Sequence, residues 1–160
     1  MASAMPLTSI PLQIALWVIL AAGAAQAAAD PAGRAPVYGY RVVHVYPHDR
    51  GAFTEGLVYA DGGLYESTGL EGRSQLRRVD LATGEVRRSF ALDGRYFGEG
   101  LAAWRSTLVQ LTWHAGVAFV YDRASFSSRG SLGYRGEGWG LTSDGRRLIK
   151  RHPGLARHRL

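Results

Sequence analysis

The sequence contains no cysteine, so disulfide bonds and thiolate metal sites are excluded. The common catalytic signatures are missing as well: there is no G-x-S-x-G elbow, no phosphate-binding loop, no G-x-G-x-x-G after a strand and no H-E-x-x-H. The five histidines show no recurring metal-ligand spacing, and we interpret them as isolated surface or turn residues. The residues therefore indicate neither a metal nor a cofactor.

Charged side chains are absent from residues 1–29. The apolar run at 12–20 is shorter than the roughly 20 residues of a spanning helix, and Ala25-Gln26-Ala27 matches the small-x-small pattern of signal cleavage. A positive n-region is missing, and a single membrane anchor is the alternative. We predict a signal peptide at 1–27, a linker at 28–37, and export to the periplasm or beyond, with no stable membrane association after cleavage.

Acidic residues are absent from the last eleven positions, 150–160. This segment holds Lys150, Arg151, Arg157 and Arg159, which account for most of the formal net charge of +6. The body of the chain has no basic stripe interleaved with aromatic residues, so nucleic-acid binding is not expected. No strand pattern follows Ile149, which predicts either a solvated basic tail or a premature end of the reading frame.

The sequence does contain an internal repeat. Gly-Leu pairs occur at 56/57, 100/101 and 140/141, which are 44 and then 40 residues apart, and each is followed by strand patterns joined by Gly/Asp turns. A second marker, Val79-Asp80 and Tyr121-Asp122, recurs after 42 residues. Repeats of about 40–45 residues built from short strands are typical of propeller blades. Because closed rings have about four to eight blades, the chain is predicted to hold a partial propeller of about three.

Strand and turn patterns alternate through the rest of the chain, without a convincing amphipathic helix, so the predicted class is all-β. The partial propeller is placed at 38–149. The run from Tyr38 to Tyr46 is rich in β-branched and aromatic residues and predicts a strand before the turn at 47–49. Residues 76–81 are predicted to pair with 85–90, and 117–121 to form a further strand.

Each repeat places a glutamate before a glycine at the start of a strand. Equivalent positions of successive blades lie at similar radius and height, so these side chains can converge on one face of a propeller. The glutamates are Glu55, Glu99 and Glu137, and the aromatic residues near them are Phe53, Phe97, Trp113 and Trp139. An aromatic cup with carboxylates would bind a small cation and move a proton. Ordinary packing and turn roles are the alternative interpretation.

Six motifs in collinear order resemble the plant- and bacterial-type glutaminyl-peptide cyclotransferases from about Tyr38 to Ile149. The motifs are Phe53-Thr54-Glu55-Gly56-Leu57, Leu64-Tyr65-Glu66-Ser67-Thr68-Gly69, Leu76-Arg77-Arg78-Val79-Asp80-Leu81, Phe97-Gly98-Glu99-Gly100-Leu101, Gln110-Leu111-Thr112-Trp113 and Glu137-Gly138-Trp139-Gly140-Leu141-Thr142. The resemblance implies a five-bladed β-propeller that converts the N-terminal glutamine of peptides and proteins to pyroglutamate with release of ammonia. It also implies a mechanism without catalytic zinc and without a cofactor.

The resemblance assigns roles to residues at matching positions. Glu99 is expected to be the catalytic acid/base, and the expected substrate-binding residues are Phe53, Glu55, Phe97, Trp113 and Trp139. Glu55 stands where some relatives have glutamine, and its charge beside Glu99 would raise the pKa of one of the two carboxyl groups. Polar pocket residues from the later blades of the family, an Asn and a Lys, have no counterpart here. A non-catalytic propeller that binds peptides or assembles is therefore the alternative function.

Overall fold

The computed structural model describes residues 36–152 and 155–159. The predicted signal peptide at 1–27 and most of the linker at 28–37 lie outside the described residues. The chain divides into two units, Met1–Val42 and Val43–Leu160. In the first unit, the described residues 36–42 form neither helix nor strand. The fold and the site described below belong to the second unit.

All regular structure in the described residues is β-strand, as the sequence predicts. The strands are β1 (Thr54–Ala60), β2 (Gly63–Thr68), β3 (Gln75–Val79), β4 (Val86–Ala91), β5 (Gly98–Trp104), β6 (Thr107–Thr112), β7 (Val117–Asp122), β8 (Ser128–Gly133), β9 (Leu141–Ser143), β10 (Leu148–His152) and β11 (Leu155–Arg159). They form two four-stranded antiparallel sheets, β1–β4 and β5–β8, and a three-stranded sheet, β9–β11. The internal repeat therefore corresponds to one sheet per copy, which confirms the partial propeller.

The predicted hairpin of residues 76–81 and 85–90 is present as β3 and β4, with Leu76 opposite Phe90. The predicted strand at 117–121 is β7. The predicted strand from Tyr38 to Tyr46 is wrong, because the structure assigns no strand there. Composition favours an extended conformation, but a strand also needs a hydrogen-bonding neighbour. No neighbouring strand accompanies this stretch within the described residues, and its large apolar side chains are exposed: Tyr38, Tyr40, Val42, Val43, Val45 and Tyr46.

The sheets pack face to face through two apolar clusters. Tyr65 and Leu76 of the first sheet meet Leu101, Leu108 and Tyr121 of the second in one cluster. A second cluster joins the sheet β5–β8 to Leu148 of β10. The innermost strands β1, β5 and β9 are successive neighbours, which places the starts of these strands side by side. This arrangement brings the repeated Glu-Gly motifs together.

The absence of a strand after Ile149, expected from the sequence, is wrong. Strand β10 runs from Leu148 to His152 and pairs with β11, with His152 opposite Leu155. The Lys150 side chain is buried, and its Nζ donates to the carbonyl oxygens of Arg135 (3.1 Å) and Glu137 (2.7 Å). Backbone pairing does not require apolar alternation, and a buried ammonium is tolerated where carbonyl oxygens satisfy it.

The recurring aspartate after a strand closes a turn in each sheet. Asp122 Oδ1 accepts hydrogen bonds from the backbone N–H groups of Ala124 and Ser125 (3.1 and 2.9 Å). Asp80 and Asp144 make the same pair of contacts two and three residues downstream. These carboxylates accept hydrogen bonds from backbone N–H groups that the turn would otherwise leave unpaired. The repeat of Asp80 and Asp122 thus marks turn chemistry and not the reactive site.

We expect Asp122→Asn to lower the unfolding midpoint at neutral pH. The hydrogen bond from Arg129, followed by the backbone N–H of Ser125, holds the pKa of Asp122 far below its ordinary value of 3.8. A depressed pKa in the folded state stabilises the fold above about pH 4, and this stabilisation is lost as the pH falls further. Urea unfolding at pH 7 and pH 3 should show a difference between wild type and variant that shrinks at pH 3. Glu71→Gln, at an exposed position, is the control for the loss of one carboxylate.

Candidate active site

Three glutamates from successive repeats converge at the starts of the inner strands. Glu99 is the second residue of β5 and is buried, with 8% of its surface exposed. Burial raises the pKa of Glu99 to about 7, and the negative charges of Glu55 and then Glu137 contribute to the rise. Burial also raises the pKa of Glu55, the second residue of β1. The structure therefore brings the predicted acid/base residue next to the two carboxylates that the repeat singles out.

Aromatic rings form a continuous row beside these carboxylates. The Phe53 and Phe97 rings meet edge-on with centroids 6.0 Å apart, and Phe97 meets Trp113 edge-on at 5.5 Å. Trp113 in turn stacks on His114 at 3.8 Å. The indole Nε1 of Trp113 is buried and has no hydrogen-bond partner in the described part of the chain. Three of the predicted substrate-binding residues are thus in ring contact with one another.

The backbone explains why this row is regular. Gly69 N–H donates to the carbonyl oxygen of Phe53 (2.8 Å), and Trp113 N–H donates to that of Phe97 (3.0 Å), which is the same contact one repeat later. A Cβ at Gly69 would lie 2.4 Å from Cε1 of Phe97. Only glycine leaves room for the Phe97 ring at this point. The repeat therefore positions both the rings and the space between them.

Trp139 joins the site through Glu137. Its indole Nε1 donates to Glu137 Oε2 (2.9 Å), while Glu137 Oε1 lies 3.2 Å from Nδ1 of His114. Trp139 is 41% exposed, so it is accessible to solvent. The six predicted residues all lie in this region of the unit Val43–Leu160, linked by ring contacts, one hydrogen bond and charge interactions. Their catalytic and binding roles stay predictions.

Sequence reasoning missed two contributors to the site. His114, interpreted as an isolated histidine, contacts both Trp113 and Glu137. Tyr134 donates its hydroxyl to the Thr112 carbonyl and accepts from the Thr112 N–H (3.1 Å). Burial raises the pKa of Tyr134, and the charge of Glu99 adds to the rise, so the two groups are electrostatically coupled. His114 follows a predicted site residue, which is a weak signal, whereas nothing in the sequence pattern marks Tyr134.

Among the described positions, no group of three or more His, Asp or Glu side chains is arranged to hold a metal ion. The described part of the chain also has no helix long and apolar enough to cross a membrane.

The geometry is suited to proton transfer on a small polar substrate. A carboxyl group with a pKa near 7 is present in both protonation states at neutral pH, so it can accept a proton in one step and return it in the next. Aromatic faces attract ammonium groups and exclude water from one side of a bound molecule. The site therefore combines a proton carrier with walls that can orient an amine.

The comparisons with known proteins agree with this chemistry. The family model described as glutamine cyclotransferase matches residues 14–153. A glutaminyl-peptide cyclotransferase of Arabidopsis thaliana is 44% identical over 110 residues, which cover 68% of this chain and 34% of the plant protein. This chain thus spans about a third of the length of that relative.

Solved structures show the same similarity. The crystal structure of Myxococcus xanthus glutaminyl cyclase superimposes with a TM-score of 0.68 at 33% identity, covering 74% of this chain and 50% of that one. The β-propeller domain of Cps50 (Swd1) from Myceliophteria thermophila matches with a TM-score of 0.51 at 12% identity, covering 72% of this chain and 42% of that one, which supports the fold alone.

Proposed function

This chain belongs to the glutamine cyclotransferase family, and we propose that its site cyclises the N-terminal glutamine of peptides and proteins to pyroglutamate with release of ammonia. The observation that carries the proposal is the buried carboxyl group of Glu99, whose pKa is raised to about 7, beside a row of aromatic rings. The residues matched by the family model, 14–153, include this site. Because the chain spans only part of their length, the activity of this polypeptide is part of the proposal.

The reaction is an intramolecular acyl transfer. The α-amine of the substrate attacks the carbonyl carbon of its own γ-carboxamide, the new C–N bond closes a five-membered ring, and the original C–N bond breaks. The attacking nitrogen must lose a proton, and the leaving nitrogen must gain one to depart as ammonia. Atoms balance without water or a second substrate, so one group that moves a single proton from nitrogen to nitrogen can serve both steps.

We propose that Glu99 carries this proton. In its ionised form it accepts the proton from the attacking amine, and in its neutral form it donates the proton to the leaving nitrogen. The like charges of Glu55 and Glu137 favour the neutral form, which keeps the carboxyl group near the balance point between the two states. Glu55, in the same cluster, is available to contact the amine or the amide.

The aromatic residues would supply orientation. Free glutamine side chains are mostly extended, and cyclisation requires the side chain to fold back on the amine, so a rigid pocket contributes much of the rate. We propose that the contacting rings of Phe53, Phe97 and Trp113 form one wall of the pocket. Trp139, held by its hydrogen bond to Glu137, would form another. We propose that this cup holds the folded glutamine side chain over Glu99.

We further propose that the reaction needs no zinc or other cofactor, since the carboxyl group of Glu99 suffices for both proton transfers. We also propose that the protein is exported to the periplasm or secreted. The uncharged segment 1–29 and the Ala25-Gln26-Ala27 pattern support export.

A direct test uses a short peptide with N-terminal glutamine and follows both ammonia release and the loss of one ammonia from the peptide mass. The same peptide acetylated on its α-amine is the control, because its nitrogen cannot attack. Turnover of the free peptide alone supports the proposal. Equal rates for both peptides would mean hydrolysis of the side-chain amide, and no turnover by the purified chain would contradict activity of this polypeptide.

The pH profile of this reaction follows from the pKa of Glu99. We expect kcat/KM to rise with pH through about 7, as Glu99 ionises and becomes able to accept the proton. The substrate α-amine, with an ordinary pKa of about 7.7–8.0, must also be neutral to attack, so the rise continues into the alkaline range. A profile that follows the α-amine alone, with a single pKa of about 7.7–8.0 and no contribution from a group near 7, would exclude Glu99 as the base.

A further inference from the structure

Glu137 contacts the site with both of its carboxylate oxygens. Oε2 accepts the indole N–H of Trp139 at 2.9 Å, and Oε1 lies 3.2 Å from Nδ1 of His114. The His114 ring stacks on Trp113 with centroids 3.8 Å apart and an interplanar angle of 27°. One side chain thus connects the two tryptophans of the site, directly to one and through a histidine to the other.

The backbone of this segment is itself held in place. Gly138 N–H donates to the carbonyl oxygen of Trp113 (2.8 Å), and the carbonyl oxygen of Glu137 accepts from Nζ of the buried Lys150 (2.7 Å). The carbonyl oxygen of Trp139 accepts a hydrogen bond from the N–H of Gly100, the residue after Glu99 (2.9 Å). These hydrogen bonds connect the segment 137–139 to the sheets on both sides. The backbone that carries the Glu137 carboxylate is therefore held in one position.

The position of Glu137 differs from that of the other two glutamates. Glu55 and Glu99 lie within the inner strands β1 and β5, whereas Glu137 precedes β9 and turns its carboxylate towards Trp139 and His114. A carboxylate that accepts an indole N–H and faces a histidine has its orientation determined by these neighbours. Its arrangement fits a supporting role and not direct proton transfer.

We propose that Glu137 is a positioning residue, which holds the indole of Trp139 and, through His114, the indole of Trp113. This inference rests on the proposed function, because the two indoles matter as walls for the glutamine side chain. The contact makes the pocket rigid before substrate arrives, which lowers the entropy lost on binding. Removing it should misplace the walls while leaving the carboxyl group of Glu99 in the site.

The positioning contact can be tested without any assay of activity. In ¹H–¹⁵N spectra of the chain, the indole signal of Trp139, assigned by its loss in Trp139→Phe, should move in Glu137→Ala because its acceptor is gone. The signal of Trp104, outside the site, should stay in place. Glu85→Gln, which breaks an exposed ion pair with Arg87, is the matched control and should move neither. An unchanged Trp139 signal in Glu137→Ala would overturn the proposal.

Kinetics on the glutamine peptide then separate positioning from charge. Glu137→Ala should lower kcat/KM by about 10- to 100-fold, the cost of a wall displaced by about 1 Å. Glu137→Gln keeps a carbonyl oxygen that can accept the Trp139 N–H. Its KM should therefore be closer to that of wild type than the KM of Glu137→Ala is. It also removes a negative charge that raises the pKa of Glu99, so its pH profile should shift to lower pH. Kinetics of Glu137→Ala equal to those of Glu85→Gln would overturn the proposal.

The two readouts distinguish this inference from the proposed function. If the wild-type chain has no turnover, the proposed function fails for this polypeptide, while the indole spectra still decide whether Glu137 holds Trp139. If Glu137→Ala does not fold, Glu137→Met, which has nearly the same volume but no oxygen to accept the Trp139 N–H, gives the same spectral readout. An unchanged Trp139 signal in that variant would contradict the proposal.

Discussion

Replacing Glu99 with glutamine is expected to lower kcat/KM for a glutamine peptide by about 10²- to 10⁴-fold, the usual contribution of a general acid–base group. The amide has nearly the volume of the carboxyl group but can neither accept the proton of the attacking amine nor return it to the leaving nitrogen. The contribution of Glu99 to the rise near pH 7 should vanish together with the rate, so that the residual profile follows only the α-amine of the substrate, with a pKa of about 7.7–8.0. A rate within twofold of wild type, with the rise retained, would assign the proton transfer to another group.

The same substitution should stabilise the fold at high pH. Because burial and the neighbouring carboxylates raise the pKa of Glu99 from 4.5 to about 7, the folded state favours the neutral carboxyl group. The stability of wild type relative to Glu99→Gln therefore falls as the pH rises from 4.5 to 7 and stays lower above pH 7, by at most about 3 kcal/mol. Urea unfolding at pH 4.5 and pH 8 measures this difference, and Glu85→Gln is the control for charge removal in general.

These two effects together identify an active-site carboxyl group. A residue kept only for structure would lose stability when replaced, whereas Glu99→Gln should lose rate and gain stability above pH 7. Loss of stability at pH 8 would show that the ionised carboxylate stabilises the fold, and it would contradict the raised pKa. The prediction thus separates the catalytic role from a structural one with one variant.

Adding a methyl group at Gly100 (Gly100→Ala) is expected to destabilise the fold more than the same change at any other glycine of the site. The expected loss in the free energy of unfolding is about 3 kcal/mol. A Cβ there would lie 2.2 Å from the carbonyl oxygen of Trp139 and 2.5 Å from the nitrogen of Leu141. Both atoms are backbone, so no side chain can rotate away. The inner strand β5 would have to separate from the segment before β9, which is also the segment that carries Glu137.

Gly140→Ala is the matched control, since Gly140 belongs to the third Gly-Leu pair of the same repeat. The nearest atom to its Cβ would be Cβ of Arg151 at 3.8 Å, an ordinary contact. Its expected effect on stability is within about 0.5 kcal/mol, as for an unhindered surface position. Chemical unfolding of both variants measures the contrast. Equal stabilities would mean that the close approach of the inner strands does not hold in solution.

Much of the fold could be read from the repeat. The Gly-Leu pairs 44 residues apart predict equivalent sheets, and the close approach at Gly56 and Gly100, where each Cβ would meet backbone of the next inner strand at 2.5 Å or less, shows why glycine recurs. The repeat also placed Glu55 and Glu99 at matching positions, so their convergence follows from symmetry alone. Such predictions succeed because each depends on local spacing and on one rule for stacking blades.

Where the sequence pattern failed, the missing information was whether a stretch has a hydrogen-bonding neighbour. The stretch from Tyr38 to Tyr46 has the composition of a strand and no neighbouring strand in the described residues, while the basic stretch after Ile149 lacks that composition and pairs as β10 and β11. Strand formation depends on the hydrogen-bonding neighbour, which composition does not specify.

By itself, the sequence determined the all-β class, the repeat, the turns and the positions of Glu99 and its aromatic neighbours, because these depend on periodic spacing. Only the tertiary structure decided that Glu137 bridges His114 and Trp139, that Tyr134 lies in the field of Glu99, and that the pKa of Glu99 is near 7. These properties depend on burial and on distances of a few ångströms between different sheets. A pKa is a property of the assembled environment, and no single stretch of the chain contains it.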